Sequence, residues 1–348
     1  MTKINLAKVI VIVGPTASGK SDLALRLAKL TQGKPFKKKG CNGAEIISAD
    51  SRQVYRGMDI GTGKVLKNKT FPVPSSKVKS QKSKVLRNKE FYSEGIRHYL
   101  IDVASPKKQF TVDDFKKLGK EAVKEILVKN KIPIIVGGTG FYIDVLLGRM
   151  SIAEVPPNKK LRVKLGKLSA EQLFKRLQKL DPERAKTIDP KNKRRLIRAL
   201  EIVITTGKPI PKTYNLKPIT YNILWLGINP GKEKLTIKIK KRLDERLKQG
   251  MAKEVKNLRK QGVSWKRLDD FGLEYRWISR YLKRLKFSAR GGSAFSRKNS
   301  QEYQNLLRDI IKYSKRQMTW FKRNKEIHWI KNRKEAEKVT RMFLLSRS

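Results

Sequence analysis

Cysteine is nearly missing from this 348-residue chain: Cys41 is the only one. That excludes a disulfide framework and any multi-cysteine zinc module, and a lone thiol fits a reducing compartment. Histidine is scarce as well. His98 and His328 are the only two, and neither has a nucleophile nearby in sequence, so both read as structural. No apolar run approaches the ~18 residues that a membrane helix needs, and the stretch Val9 to Val13 is too short for a signal-peptide core. The reading is a cytoplasmic protein with no membrane partner. Acid is the largest deficit: 30 Asp+Glu stand against 83 Lys+Arg, a formal net charge of +53. Such a charge points to a polyanionic partner, or to no more than solubility in a lysine-rich proteome. Motifs have to decide.

What is present is an alternation of short apolar runs and helical patterns. Lys8–Val13 reads as a strand buried on both faces and leads into Gly14–Ser21, after which Asp22–Leu30 has helical spacing. Further strands are expected at Glu45–Ser48, Tyr99–Val103 and Ile132–Val136, with a helix over Val112–Asn130 that starts in a Thr111/Asp114 capping box. The class is α/β, a P-loop NTPase-like parallel sheet flanked by helices. Residues 149–215 carry almost no strand signal and several helix starts: a Ser169/Gln172 capping box, an Asp189-Pro190 cap and first turn, and a stop at Gly207. They read as a helical insertion domain between two parts of the core, 1–148 and 216–348. Tyr221–Ile228 returns as a core strand, and the remainder is helical with breaks near Gly262, Gly272 and Gly291-Gly292. Residues 64–89 and 286–300, basic and poor in acid, read as surface loops.

Gly14, Pro15, Thr16, Ala17, Ser18, Gly19, Lys20 and Ser21 satisfy G-x-x-x-x-G-K-[ST] in its strand-to-helix context. Its backbone N–H groups can wrap phosphate oxygens, Lys20 adds charge, and the Ser21 hydroxyl can hold a metal. The motif specifies a diphosphate or triphosphate without saying that the ligand is a nucleotide. Asp50 follows the second strand, at the sheet edge that faces ligands in open parallel sheets; it reads as a metal ligand, a general base or a helix cap. Tyr99–Asp102 is Walker-B-like. Gly137–Gly140 is another loop at the same edge, where Thr139 offers a hydroxyl or the glycines simply make a turn. In the expected helix 190–205, Lys191, Arg194, Arg195 and Arg198 form a basic stripe without interleaved acid, opposite Leu196, Ala199, Leu200 and Val203. Lys315–Arg323 mixes cations, an amide and aromatics, a mixture suited to phosphate contact and base stacking, although Met318 and Phe321 read as core.

With these blocks assembled, the chain resembles the tRNA dimethylallyltransferases, also called tRNA isopentenyltransferases. The matching segments are GPTASGKS (14–21), ISADSRQVYRGMDIGTGK (47–64), HYLIDVASP (98–106), IPIIVGGTGFYI (132–143), RRLIRALE (194–201) and KRQMTWFKR (315–323). The resemblance implies transfer of a dimethylallyl group from dimethylallyl diphosphate to the exocyclic amine of the adenosine 3′ of the anticodon, with the anticodon stem-loop as partner, Mg²⁺ as cofactor and a monomeric enzyme. It implies Asp50 as general base, Thr139 and Arg242 as catalytic, and residues 14–21 as the diphosphate loop. Asp50, Ser51, Arg52 and Gln53 would hold the target base. Arg162, Arg194, Arg195, Leu196, Ile197 and Arg198 would contact tRNA, and Lys315, Arg316 and Gln317 join them on the basic-aromatic segment. The departures, the insertion at 64–89, the connection at 31–44 and FGLEYR at 271–276, bear on local tRNA contacts and not on chemistry. An adenylate isopentenyltransferase acting on free nucleotide, a P-loop kinase and a basic RNA-binding scaffold are the alternatives.

Overall fold

The computed structural model describes residues 6–38, 40–67, 90–211, 220–286 and 300–346. Most of the basic segment 64–89 and of 286–300 lies outside them. The chain divides into two compact units, Leu147–Ile219 and the rest.

The larger unit is built on a seven-stranded sheet. Its strands in chain order are β1 (Ala7–Val13), β2 (Ala44–Ser48), β3 (Phe91–Ser93), β4 (Ile96–Tyr99), β5 (Ile132–Gly137), β6 (Tyr221–Ile228) and β7 (His328–Ile330), in spatial order β3-β4-β2-β5-β1-β6-β7. All pairs are parallel except the β3–β4 hairpin. The parallel strands therefore end on one edge, where their connecting loops collect. Val9 to Val13 are fully buried, as a central strand covered on both faces requires. Helix α1 (Lys20–Leu30) lays Leu23, Leu27 and Ala28 on one face, in a core that also holds Ile10, Ile12, Ile46 and Ile134. After the short α2 (Lys34–Lys37), helix α3 (Val112–Val128) starts in the expected Thr111/Asp114 capping box, and its Phe115 stacks on Tyr142 of α4 (Gly140–Leu146).

One sequence expectation fails at the sheet. No strand runs over Tyr99–Val103: β4 stops at Tyr99, and Leu100 and Asp102 take left-handed φ values of 63° and 58°. Asp102 is thus not a strand-end acid of the Walker-B kind; it accepts from Lys64. Lys64 itself, expected in a surface loop, is 3% exposed and paired with both Asp59 and Asp102.

The smaller unit packs α5 (Lys159–Gly166), α6 (Ala170–Leu180), α7 (Pro182–Ala185) and α8 (Lys193–Thr206) around Leu165, Leu173, Leu177, Leu196 and Leu200. The Ser169/Gln172 capping box and the left-handed Gly207 stop form as expected. Pro190 does not open α8. The Asp189 carboxylate accepts from the Lys191 N–H in a tight turn, and Asn192 is the cap. Within α8 the basic stripe is less uniform than its spacing suggests. Glu201 is fully buried and accepts two bonds from Arg162, at 2.7 Å each, and one from Arg198 at 2.6 Å. Arg198 also donates to the carbonyls of Ala153 and Val155. Arg162 and Arg198 thus neutralise an interior acid, whereas Lys191, Arg194 and Arg195 are exposed.

After β6 come α9 (Lys232–Lys248), α10 (Met251–Lys260), α11 (Trp265–Phe271), α12 (Leu273–Lys286) and α13 (Gln301–Phe321), and α14 (Arg333–Leu345) follows β7. Helices α9 to α13 enclose a second core with Val54, Tyr55 and Met58.

Leu196 and Ile197 were expected to touch tRNA. Leu196 is instead wholly inside the helical core, and Ile197 packs against that core. Leu196→Ala is expected to cost the smaller unit about 2–5 kcal/mol. The readout is amide exchange, accelerated in α6 and α8 and unchanged in β1. Unchanged exchange combined with weaker tRNA binding would instead make Leu196 a contact.

Candidate active site

Three strand ends supply the site. From β1 the chain enters Gly14–Ser21, and Gly19 takes φ 92° as the N-cap of α1, a left-handed turn that suits glycine. Thr16 to Ser21 line a cleft of about 1090 Å³, with Gly14 and Pro15 buried beneath. That volume is at the top of the ~300–1,000 Å³ range of small-molecule sites, which leaves room for a phosphate donor and a second group. The Lys20 ammonium donates to the Pro15 carbonyl at 2.6 Å, and Arg242 of α9 donates to the Thr16 hydroxyl.

From β2 comes Asp50. Its Oδ1 accepts from the N–H groups of Arg52 at 2.8 Å and Gln53 at 3.3 Å, so the cap reading is realised, and it coexists with a place in the cleft lining. Gln53 is tied down: it accepts from Ser48 and donates to the carbonyls of Thr62 and Gly63. From β5 comes Thr139, whose hydroxyl accepts from the Ser51 N–H at 3.2 Å. The glycine loop and the Asp50 turn are thereby joined.

The electrostatics of the cleft are lopsided. Burial, and then repulsion by Arg242, lower the Lys20 pKa to about 7, against a smaller raising effect from Asp50. Burial and the neighbouring Arg246 likewise lower Arg242 to about 9. Four cations, Lys20, Arg52, Arg242 and Arg246, line one cleft. Glu274 of α12 sits among them, bonded to Arg52 at 2.7 Å and Arg246 at 2.9 Å. Burial resists the Arg52 charge, and Glu274 and Asp50 overcome that penalty and hold its pKa above the ordinary value. Positive charge held out of water with too little acid beside it is the mark of an anion site.

Sequence reasoning missed Glu274, Arg246, Glu254 and Tyr313. FGLEYR was expected on the tRNA side; it supplies Glu274, and also Tyr275, whose hydroxyl donates to Glu254 at 2.7 Å. Glu254 in turn accepts from the N–H groups of Asp59, Ile60 and Gly61, which fixes the MDIGT segment of the cleft wall. An acid among Phe271, Leu273 and Tyr275 was the available signal, because a lone charge in an apolar run is buried and paired. Gln317 also departs from expectation. Lys315 and Arg316 are exposed, but Gln317 is 6% exposed and both ends of its amide are bonded within the protein.

Comparison with known proteins agrees with this geometry. The IPP transferase family matches residues 53–324. The chain belongs to that family. Among its curated relatives, the tRNA dimethylallyltransferase of Acetivibrio thermocellus is 37% identical over 329 residues, 92% of this chain and 91% of its own. That of Pelotomaculum thermopropionicum is 36% identical, covering 92% and 90%. The crystal structure of the full-length tRNA isopentenylpyrophosphate transferase from Bacillus halodurans superposes with TM-score 0.61 at 28% identity, over 97% of this chain and 96% of that one. In an IPP transferase a diphosphate is the anion such a cluster would take.

Diphosphate bound beside Lys20 should restore its proton affinity. The native pKa of about 7 lies below the ordinary 10.5, so the charged lysine costs stability fully below about 7, and that cost fades as pH rises toward 10.5. Between those values the free protein has released the proton and the complex regains it. Calorimetry in buffers of different ionisation enthalpy should show wild type taking up about one proton more than Lys20→Met. Equal uptake would contradict the assignment.

Proposed function

We propose that this chain transfers a dimethylallyl group from dimethylallyl diphosphate to tRNA, and that the acceptor is the exocyclic amine of the adenosine 3′ of the anticodon. The observation that carries the reading is the placement of Asp50, an acid on one strand end, in the same cleft as the under-neutralised cations Lys20 and Arg242. An adenine amine is a weak nucleophile because its lone pair is delocalised into the ring. As the amine nitrogen bonds to C1 of the prenyl group, the C1–O bond breaks and the diphosphate leaves with the electron pair. Asp50 takes the amine proton, a step worth ~10²–10⁴-fold. Lys20, Arg242 and the N–H groups of the loop stabilise the charge that develops on the leaving oxygen. Thr139 steadies the Asp50 turn through Ser51.

Among the described residues no three His, Cys, Asp or Glu come together as a metal cluster. The oxygens available beside the phosphate loop are hard donors, a hydroxyl and carboxylates, and they suit Mg²⁺, which keeps water and takes its remaining ligands from phosphate. Ser21 would hold it, and when bound it supplies additional positive charge to the diphosphate.

No described helix is long and apolar enough to cross a membrane. A tRNA acceptor and a single free cysteine support a reducing, cytoplasmic setting. Every group assigned a chemical role comes from one copy of the chain, which supports action as a monomer. The exposed cations Lys191, Arg194, Arg195, Lys315 and Arg316 support a folded RNA as acceptor over a free nucleotide, whose one or two phosphates need few partners. A stacked base has to leave its stack to enter such a cleft.

Asp50→Asn should retain affinity for inorganic diphosphate and lose about 10²–10⁴-fold in single-turnover rate, measured by mass spectrometry of tRNA nucleosides. A rate within about threefold of wild type would remove Asp50 from the base role. The same assay with AMP in place of an anticodon stem-loop should yield no product; efficient prenylation of AMP would assign the chain to the free-nucleotide class.

A further inference from the structure

Helix α13 has two chemically different faces. Lys312, Lys315, Arg316 and Thr319 are exposed. Tyr313, Gln317 and Trp320, spaced i, i+4 and i+7, point the other way, and each reaches a loop of the site. The Tyr313 and Thr139 hydroxyls are hydrogen-bonded. The Trp320 indole N–H donates to Asp144 at 2.8 Å. Gln317 is the link between loops: its Oε1 accepts from the Thr16 N–H at 2.8 Å and its Nε2 donates to the Gly138 carbonyl at 2.9 Å. One buried amide thereby ties the phosphate loop after β1 to the glycine loop after β5.

The fit leaves no slack. A Cβ on Gly138 would lie 2.1 Å from Gln317 Nε2, and one on Gly140 would lie 2.2 Å from the Trp320 ring. The two glycines are therefore required by the approach of α13, beyond any role in turning the chain. The Thr16 N–H needs an acceptor and the Gly138 carbonyl needs a donor. A primary amide supplies both in a fixed orientation, which a carboxylate or a hydrocarbon cannot do.

Resting on the reaction proposed above, we infer that Gln317 is a positioning residue for catalysis: it fixes the Thr139 loop, and through Ser51 the Asp50 turn, relative to the diphosphate held at Thr16–Ser21. The donor's reacting carbon is placed by the phosphate loop and the base by the Asp50 turn, so the distance between them depends on what joins the two loops. Misplacement of such groups by ~1 Å is enough to cost about 10²-fold. Gln317 thus acts from inside the helix whose outer cations face solvent.

Two variants separate the arms of this link. Tyr313→Phe removes a bond to Thr139 and leaves Gln317 on Thr16. Gln317→Met, close in volume, removes both amide bonds. At saturating tRNA and donor, single-turnover transfer should slow about ten- to hundredfold in Gln317→Met and less in Tyr313→Phe. Affinity for inorganic diphosphate, measured by calorimetry, should fall only in Gln317→Met. Three outcomes would overturn the inference: a wild-type rate in Gln317→Met; weaker tRNA binding as its sole defect, which would make Gln317 an RNA contact; or rate and diphosphate affinity falling in equal proportion in both variants, as general loosening would produce. Absence of transfer by the wild-type chain would count against the proposed reaction, and the diphosphate arm would still report on the Thr16 bond.

Discussion

Everything around the cleft answers one problem, the repulsion of like charges brought together out of water. Lys20, Arg52, Arg242 and Arg246 line one cavity, and the acids near them are Asp50 and Glu274. Coulomb energy between such neighbours is several-fold larger at a half-buried site than in bulk water. The fold accepts that cost in a graded way. Glu274 fully engages Arg52 and Arg246, so these two are structural cations. Lys20 and Arg242 lack an equal partner, and their lowered proton affinities record it. The unneutralised pair sits where the phosphate loop opens, and the neutralised pair stands beside it. A diphosphate therefore meets charge that the protein has left unmatched.

The backbone that frames this cluster is held by side chains far away in sequence. Glu254 binds three consecutive N–H groups of the 59–61 segment, Tyr275 braces Glu254, and Arg246 donates to the Gly61 carbonyl. Removing any one would leave buried polar groups unpaired, at a cost of ~1–3 kcal/mol each. Helices α10 and α12 thus act on the cleft wall without lining it at their own polar residues. This is why the FGLEYR segment, whose composition suits a surface, belongs to the interior.

What could be read from the sequence followed from locality. The phosphate loop is defined by eight adjacent residues, and the C-terminal-edge rule for parallel sheets puts Asp50 and Thr139 at the same edge once β2 and β5 are recognised. The capping boxes at Thr111 and Ser169 are also local and formed as read. Errors arose where the deciding partner is distant. Glu201 turns Arg162 and Arg198 inward from another helix and another turn, Leu100 and Asp102 leave β geometry where a strand pattern continues, and Gln317 looks polar and therefore exposed. In each case the residue type was compatible with two environments, and only tertiary packing chose between them.

The distribution of the +53 charge separates two jobs that the sequence alone merges. Exposed cations such as Lys191, Arg194, Arg195, Lys315 and Arg316 are screened within a Debye length of ~8–10 Å at moderate salt. Any RNA affinity they provide comes from counterion release and falls steeply as salt rises. The cleft cations are largely withdrawn from solvent and paired or positioned at fixed distances, so salt screens them much less. Docking and chemistry consequently respond to ionic strength through different residues. Helix α13 carries both kinds of side chain within one turn, Lys315 and Arg316 outward and Gln317 inward, which makes it the place where a salt-sensitive surface and a salt-insensitive site share a single backbone.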